Sequence, residues 1–221
     1  MATVTKKKAE AGTTILTVSA PNLQFITFTI RGTSPYCQNR FGNKAGTQMI
    51  ETQRAGSAAK GAKKRDPKDF EALGEDAKHK STEGWVGIPA TAFRSAMISA
   101  CRVSGVVMTK AKLAVFVMAD GYDQDMTPLV KIAKGEPTIA IHHVRNDNGS
   151  VDMRPRPMWE PGWEAKVTVQ FDADVLRAVD VANLMCRAGL QVGVGEGRHD
   201  SKKSNGCGWG LFLIADQEDD E

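Results

Sequence analysis

The stretch AGLQVGVGEGRHDSKKSNGCGWGLFLI, residues 188–214, decides how the chain is read. It holds seven of the 21 glycines, and its middle carries Arg198, His199, Lys202 and Lys203. GVGEG has GxGxG spacing and follows a helical pattern, whereas a dinucleotide fingerprint opens a helix after a strand. GSAAKGAKK, residues 56–64, misses a phosphate loop: its lysine is displaced by one position and no Ser or Thr follows. With both nucleotide cradles excluded, the glycines are left to serve a close approach of backbone to something else.

Working outward, WEAKVTVQFD alternates as a strand does, and VLRAVDVANLMCRAG follows as a helix. Asp172 or Asp174 is expected to cap that helix, Leu176, Val179, Ala182, Asn183 and Cys186 to form its stripe, and Gly189 to stop it. GLFLIAD then closes the domain as a strand. Upstream, ILTVSAPNLQFITFTIRG gives two strand-like runs around Pro21, the second with Ile26, Phe28 and Ile30 alternating with threonines. In GIPATAFRSAMISACRVSG, Pro89 suits a first helical turn, and Phe93, Met97, Ala100 and Cys101 share one face before Gly105 ends it. KLAVFVMAD, PLVKIAK and TIAIHHVRN read as strands. NDNGS turns the third of these into VDMRPRP, whose Pro155 and Pro157 suit an edge or a protrusion.

The order is a β-α-β-β-α-β skeleton, so the expected fold class is α+β with a ferredoxin-like core. The expected organisation is a disordered arm at 1–12, one domain at 13–214 and an acidic tail at 215–221. Within the domain lie a basic excursion at 33–83, with a short helix near DPKDFEAL, a hairpin at 138–160 and the glycine-rich loop at 189–210.

Composition excludes several classes. The longest apolar runs, such as LAVFVMA at 113–119, are too short to span a bilayer, so no membrane partner is expected. The N-terminus has charge but no apolar run after it, which argues for a cytoplasmic protein. Four scattered cysteines make no disulfide framework, and Cys207 with His199, His142 and His143 lacks zinc-ligand spacing, so no metal or cofactor is expected. Net charge is only +3. Between Tyr36 and Arg65, however, seven cations face the single acid Glu51, a local balance of +6.

His142 and His143 are neighbours in a strand and point to opposite faces, so they cannot share a metal; either could serve as a base in metal-independent RNA cleavage, yet no partner acid or lysine is placed beside them. No GxSxG or HExxH motif is present. The basic features converge better on nucleic acid. The hairpin arms bring Arg145, Arg154, Arg156 and Trp159 together, the loop adds Arg198, Lys202 and Lys203, and the excursion adds Arg40, Lys44, Arg54, Lys63, Lys64 and Arg65. Arginine forks bind phosphate oxygens and an aromatic ring stacks on a base. No base-reading code is visible, so backbone contacts should dominate.

The pair GIPATAFRSAMISA and AGLQVGVGEGR…GCGWGLF resembles the two most recognisable stretches of the RAMP superfamily, which supplies crRNA-binding backbone subunits of CRISPR effector complexes. Ile88, Pro89, Phe93 and Arg94 match its helix start; Gly193, Gly195, Arg198, Gly208, Gly210 and Phe212 match its glycine-rich loop. The chain is still more similar to a group of phage and prophage proteins with a TSPYCQNRF-like stretch and a GxGExR loop. Ala90 and Thr91 depart from the family's Gly-Ser pair, and the lysine-rich insertion at 200–205 lengthens the loop. The resemblance implies a ferredoxin-like or RRM-like core, preference for single-stranded RNA over single-stranded DNA, and self-association or assembly with other subunits. It places Arg94 on phosphates beside the loop, and Gly193 and Gly195 where the backbone passes close to the strand. It carries over no catalytic aspartate, so a non-enzymatic binder is expected. The alternatives are an endoribonuclease using His142 or His143, and a phage module that mimics or engages a CRISPR-type complex in the host cytoplasm.

Overall fold

The computed structural model describes residues 19–42, 46–47, 51, 68–145, 149–200 and 206–215. The expected arm, the acidic residues of the tail and much of the basic excursion lie outside that set. In chain order the described elements are β1 Leu23–Gly32, β2 Tyr36–Cys37, α1 Phe70–Asp76, β3 Gly87–Pro89, α2 Ala90–Ser104, α3 Met108–Ala114 and β4 Val115–Val117. There follow β5 Gly121–Tyr122, β6 Pro128–Lys134, β7 Thr138–Arg145, β8 Val151–Trp159, β9 Glu164–Asp172, α4 Ala178–Arg187, a π turn Ala188–Val192, and β10 Phe212–Ile214.

The protein is a mixed α+β fold with antiparallel sheets. β1 pairs with β10 on one side and β9 on the other, and the far edge of β9 is shared by β4 and β6. The last strand thus lies beside the first, the first beside the third, and β4 with β6 fill the second-strand position. That arrangement matches the expected β-α-β-β-α-β skeleton. β2, β8 and β7 form a separate three-stranded sheet, on which α1, the helix expected near DPKDFEAL, packs.

Period-two patterning explains the main sheet. β1 turns Phe28 and Ile30 inward, and β9 buries Ala165, Val167, Val169 and Phe171. Against this face α2 lays Phe93, Met97, Ala100 and Cys101, and it ends at Gly105 with φ 74°. Phe212 on β10 meets Phe93 and Trp163 edge-on at centroid distances of 5.8 and 6.3 Å. Each such ring taken fully from water stabilises the fold by about 2–3 kcal/mol.

Four local expectations are corrected. KLAVFVMAD is not one strand: residues 112–114 end a helix rich in strong helix formers, whose Ala111 and Ala114 bury, and only Val115–Val117 pair. The helix after β9 starts at Ala178, where the Arg177 N–H donates to Asp180 Oδ2 at 3.3 Å, while Asp172 accepts from the Asp174 amide instead. Its buried face is consequently Val181, Leu184 and Met185, and Val179 stays 54% exposed. Gly189 does not stop it; the π turn carries on to Gly193, φ 79°, and Gly189 is small because a Cβ there would strike the Phe212 carbonyl. The proline expectation holds locally: β8 lies between β2 and β7, but β2 pairs only with Met158 and Trp159, so at Pro155 and Pro157 the strand has β7 as its one ladder partner and an edge on the other side. Among the described residues no helix is long and apolar enough to cross a membrane.

Candidate nucleic-acid interface

The glycine-rich loop docks on the segment that follows β1. The Gly210 amide donates to the Pro35 carbonyl at 2.7 Å, the Glu196 amide to the Cys37 carbonyl at 3.0 Å, and the Leu211 amide to Ser34 Oγ at 2.8 Å. Gln38 then ties this segment to the rest. Its Nε2 donates to the Gly87 carbonyl at 2.8 Å and its Oε1 accepts from the His79 amide at 2.9 Å. Between this wall and the start of α2 lies an open cleft of about 500 Å³, lined among others by Gln38, Asn39, Thr91, Ser95, Ser99, Gly195, Gly197 and Arg198.

The glycines work inside the molecule. Gly195 has φ 82° and Gly210 φ 71°, where an L side chain is strained, and a Cβ would overlap the Cys37 or the Val194 carbonyl. At Gly193 a Cβ would stand 2.8 Å from the Trp209 carbonyl. The close approach seen at Gly193 and Gly195 is therefore to the chain's own backbone.

The expected cations part company. Arg198 forms part of the cleft wall, its Nη1 donating to the Gly195 carbonyl at 2.9 Å. Arg94 is placed elsewhere than expected: it leaves the loop side, donates to the Val115 carbonyl at 2.9 Å and to the Lys112 carbonyl, and lies 5.1 Å from the Phe116 ring. Arg156, only 8% exposed, donates to Glu196 at 2.6 Å and to the Pro155 carbonyl at 3.1 Å, so it fastens the loop to β8 rather than standing free in solvent. Trp159 is 1% exposed, 5.3 Å from Tyr36, which corrects the expectation of an open stacking ring. Arg40 sits among Asp76, Asp123 and Asp125. Arg154 lies 3.6 Å from Asp152. Arg145 ends β7, with its side chain outside the described set. Lys44, Arg54, Lys63, Lys64, Arg65, Lys202 and Lys203 lie outside the described residues.

His142 and His143 do take opposite faces. His142 packs on Trp209 at 5.1 Å, while His143 is exposed; neither lines the cleft. The histidine that does is His79, which sequence patterning did not single out. Its Nδ1 lies 3.6 Å from Asp123 Oδ2, and both atoms are buried without a hydrogen bond. Burial lowers the His79 pKa against the raising effect of Asp123. Burial pushes the Asp123 carboxyl up, but the Thr127 and Asp125 amides at 2.8 and 2.9 Å more than offset it and hold it below its ordinary value. Burial also pushes the Cys37 thiol up to about 12, so the cysteine under the loop stays neutral. Among the described residues no three His, Cys, Asp or Glu side chains cluster to hold a metal ion.

No family model matches the chain, and no curated protein matches it. Among solved structures it is similar to Cmr6 from Pyrococcus furiosus, at 10% identity and a TM-score of 0.36, over 88% of this chain and 99% of that one. A likeness of that degree decides neither the fold nor the activity.

Proposed function

We propose that the chain is a non-enzymatic nucleic-acid-binding protein that holds a single strand, RNA in preference to single-stranded DNA, and assembles along it with further copies or other subunits. The observation that carries this is the cleft. Folding brings the two stretches on which the RAMP resemblance rests, the start of α2 and the glycine-rich loop, to opposite sides of one open polar groove. Hydroxyls of Thr91, Ser95 and Ser99 and the Arg198 guanidinium are groups that contact phosphate and sugar oxygens without reading sequence. The phage and host-cytoplasm assignments belong to the same proposal and rest on the resemblance. Neither His142 nor His143 borders the groove, so the cleavage reading built on those two residues is not supported by its geometry.

The test is a salt series of fluorescence anisotropy with labelled single-stranded RNA, single-stranded DNA and duplex. A backbone-dominated binder should prefer the single strands, with log K falling linearly with log salt. Absence of binding at low salt would overturn the proposal. Metal-independent cleavage that vanishes in His142→Ala or His143→Ala would install the endoribonuclease, and binding to a CRISPR-type complex without RNA affinity would install the interaction module.

A further inference from the structure

Helices cover one face of the main sheet, and among the described residues β1, β4 and β9 keep exposed side chains on the other. Alternation along β1 exposes Phe25, Thr27 and Thr29, and on β4 it buries Val115 and exposes Phe116. The register sets the two rings in one row, because Phe25 lies opposite Gln170 and Gln170 opposite Phe116. In the next row the Thr27 and Thr168 hydroxyls meet at 3.0 Å, which fixes the face. With strands about 4.8 Å apart, the rings stand roughly 10 Å from each other across β9. Phe25 is 60% exposed and Phe116 41%.

Charge borders the rings. The Arg94 guanidinium lies over one side of the Phe116 ring, 5.1 Å from its centroid, so a base would stack on the other side of that ring, and Lys166 is exposed two residues further along the same face of β9 than Thr168. At that end Arg31 and Lys134 both contact the Glu164 carboxylate, at 3.0 and 3.2 Å.

We infer that this open face is a base-stacking platform for single-stranded RNA, with one base on Phe25, one on Phe116, and Arg94 and Lys166 beside the flanking phosphates. The inference rests on the nucleic-acid binding proposed above and locates the bases that a backbone-holding cleft leaves unplaced. The chemistry between the rings favours a nucleic acid over a protein. Exposed Leu23 and Met118 extend the apolar surface at its margins, while the Gln170 amide and the Thr27 and Thr168 hydroxyls place polar groups between and beside the rings. Rings on a flat sheet accept any base, since every base has a π face, and the cations match phosphate in sign.

The experiment measures binding of a labelled oligouridine strand, and of the same strand with abasic sites, to the wild-type chain and to Phe25→Ala, Phe116→Ala and Phe25→Trp. Both rings are exposed, so the variants should keep the wild-type melting temperature. Each alanine variant should lose about 5- to 150-fold in affinity, the range for one stacked base. Phe25→Trp should bind at least as tightly as wild type, and abasic sites should weaken wild type while changing the alanine variants less. No binding by wild type at low salt would remove the nucleic-acid proposal and this platform together. Wild-type binding with undiminished affinity in both alanine variants would overturn the platform alone. A wild-type dimer that becomes monomeric in the alanine variants, with RNA affinity unchanged, would assign the face to a second copy and likewise overturn it.

Discussion

In the glycine-rich loop, Gly195 and Gly210 adopt left-handed backbone and leave no room for a Cβ beside the carbonyls of Cys37 and Val194. On the open face of the main sheet, Phe25 and Phe116 stand on regular strands and turn outward. The loop looks like a ligand cradle by composition, yet its glycines and Arg156 are engaged in fastening it to β2, β8 and the π turn. The sheet face carries no motif, yet ordinary alternation leaves its rings accessible. A dense motif therefore marks tight internal packing here, and the exposed chemistry lies where periodicity places it.

That contrast can be broken most sharply at Gly210. Gly210→Ala combines left-handed strain with overlap of a backbone carbonyl and should cost about 3 kcal/mol or more. Gly105→Ala has a similar φ, 74°, and nothing within 4 Å, so it should cost only about 1–2 kcal/mol. Equal losses in thermal unfolding would show that the loop is not closely packed. Glu196→Ala comes next. It leaves the Arg156 guanidinium, whose side chain is mostly out of water, without its carboxylate, and urea unfolding should show a loss of about 2 kcal/mol. A loss within ~0.5 kcal/mol would return Arg156 to the pool of available cations.

The His79 corner sharpens the comparison through pH. A histidine whose folded pKa is depressed is protonated more readily in the unfolded chain, so it destabilises as pH falls below its ordinary 6.5 and until its lower folded value is reached. Asp123, also held low, acts in the same direction in a more acidic window. Arg40 and Asp125 are the other charges facing this pair. His79→Gln should flatten melting temperature against pH just below 6.5, and an unchanged slope would contradict the assignment. The smallest effect is expected at Arg198. Arg198→Ala should weaken RNA binding on all sequences alike and reduce the salt slope by about one charge, with little change in melting temperature.

Much of the fold was legible in residue patterns. β1, β9 and α2 declare themselves because Ile26, Phe28 and Ile30, or Phe93, Met97 and Cys101, repeat at the period of their element. α3 was hidden because an apolar run such as Lys112–Asp120 fits a strand as well as a helix end, and the inward face of α4 was misjudged because its cap lies at Arg177. Trp159 carried a usable signal, since period two sets it with Pro155 and Pro157 and apart from Arg154 and Arg156. The cleft was less legible. Its two flanking motifs are each recognisable in the sequence, but the pairing of Arg156 with Glu196, and of His79 with Asp123, joins residues 40 and more apart. Such pairings follow from tertiary contact, which local pattern does not encode.

The most direct test of the account is photocrosslinking of single-stranded RNA carrying photoreactive bases and backbone labels, followed by mapping of the crosslinked peptides. Base crosslinks are expected on the peptides holding Phe25 and Phe116, and backbone crosslinks on the segment around Gly195–Arg198. Crosslinks confined to other surfaces, or none above background at low salt, would contradict it.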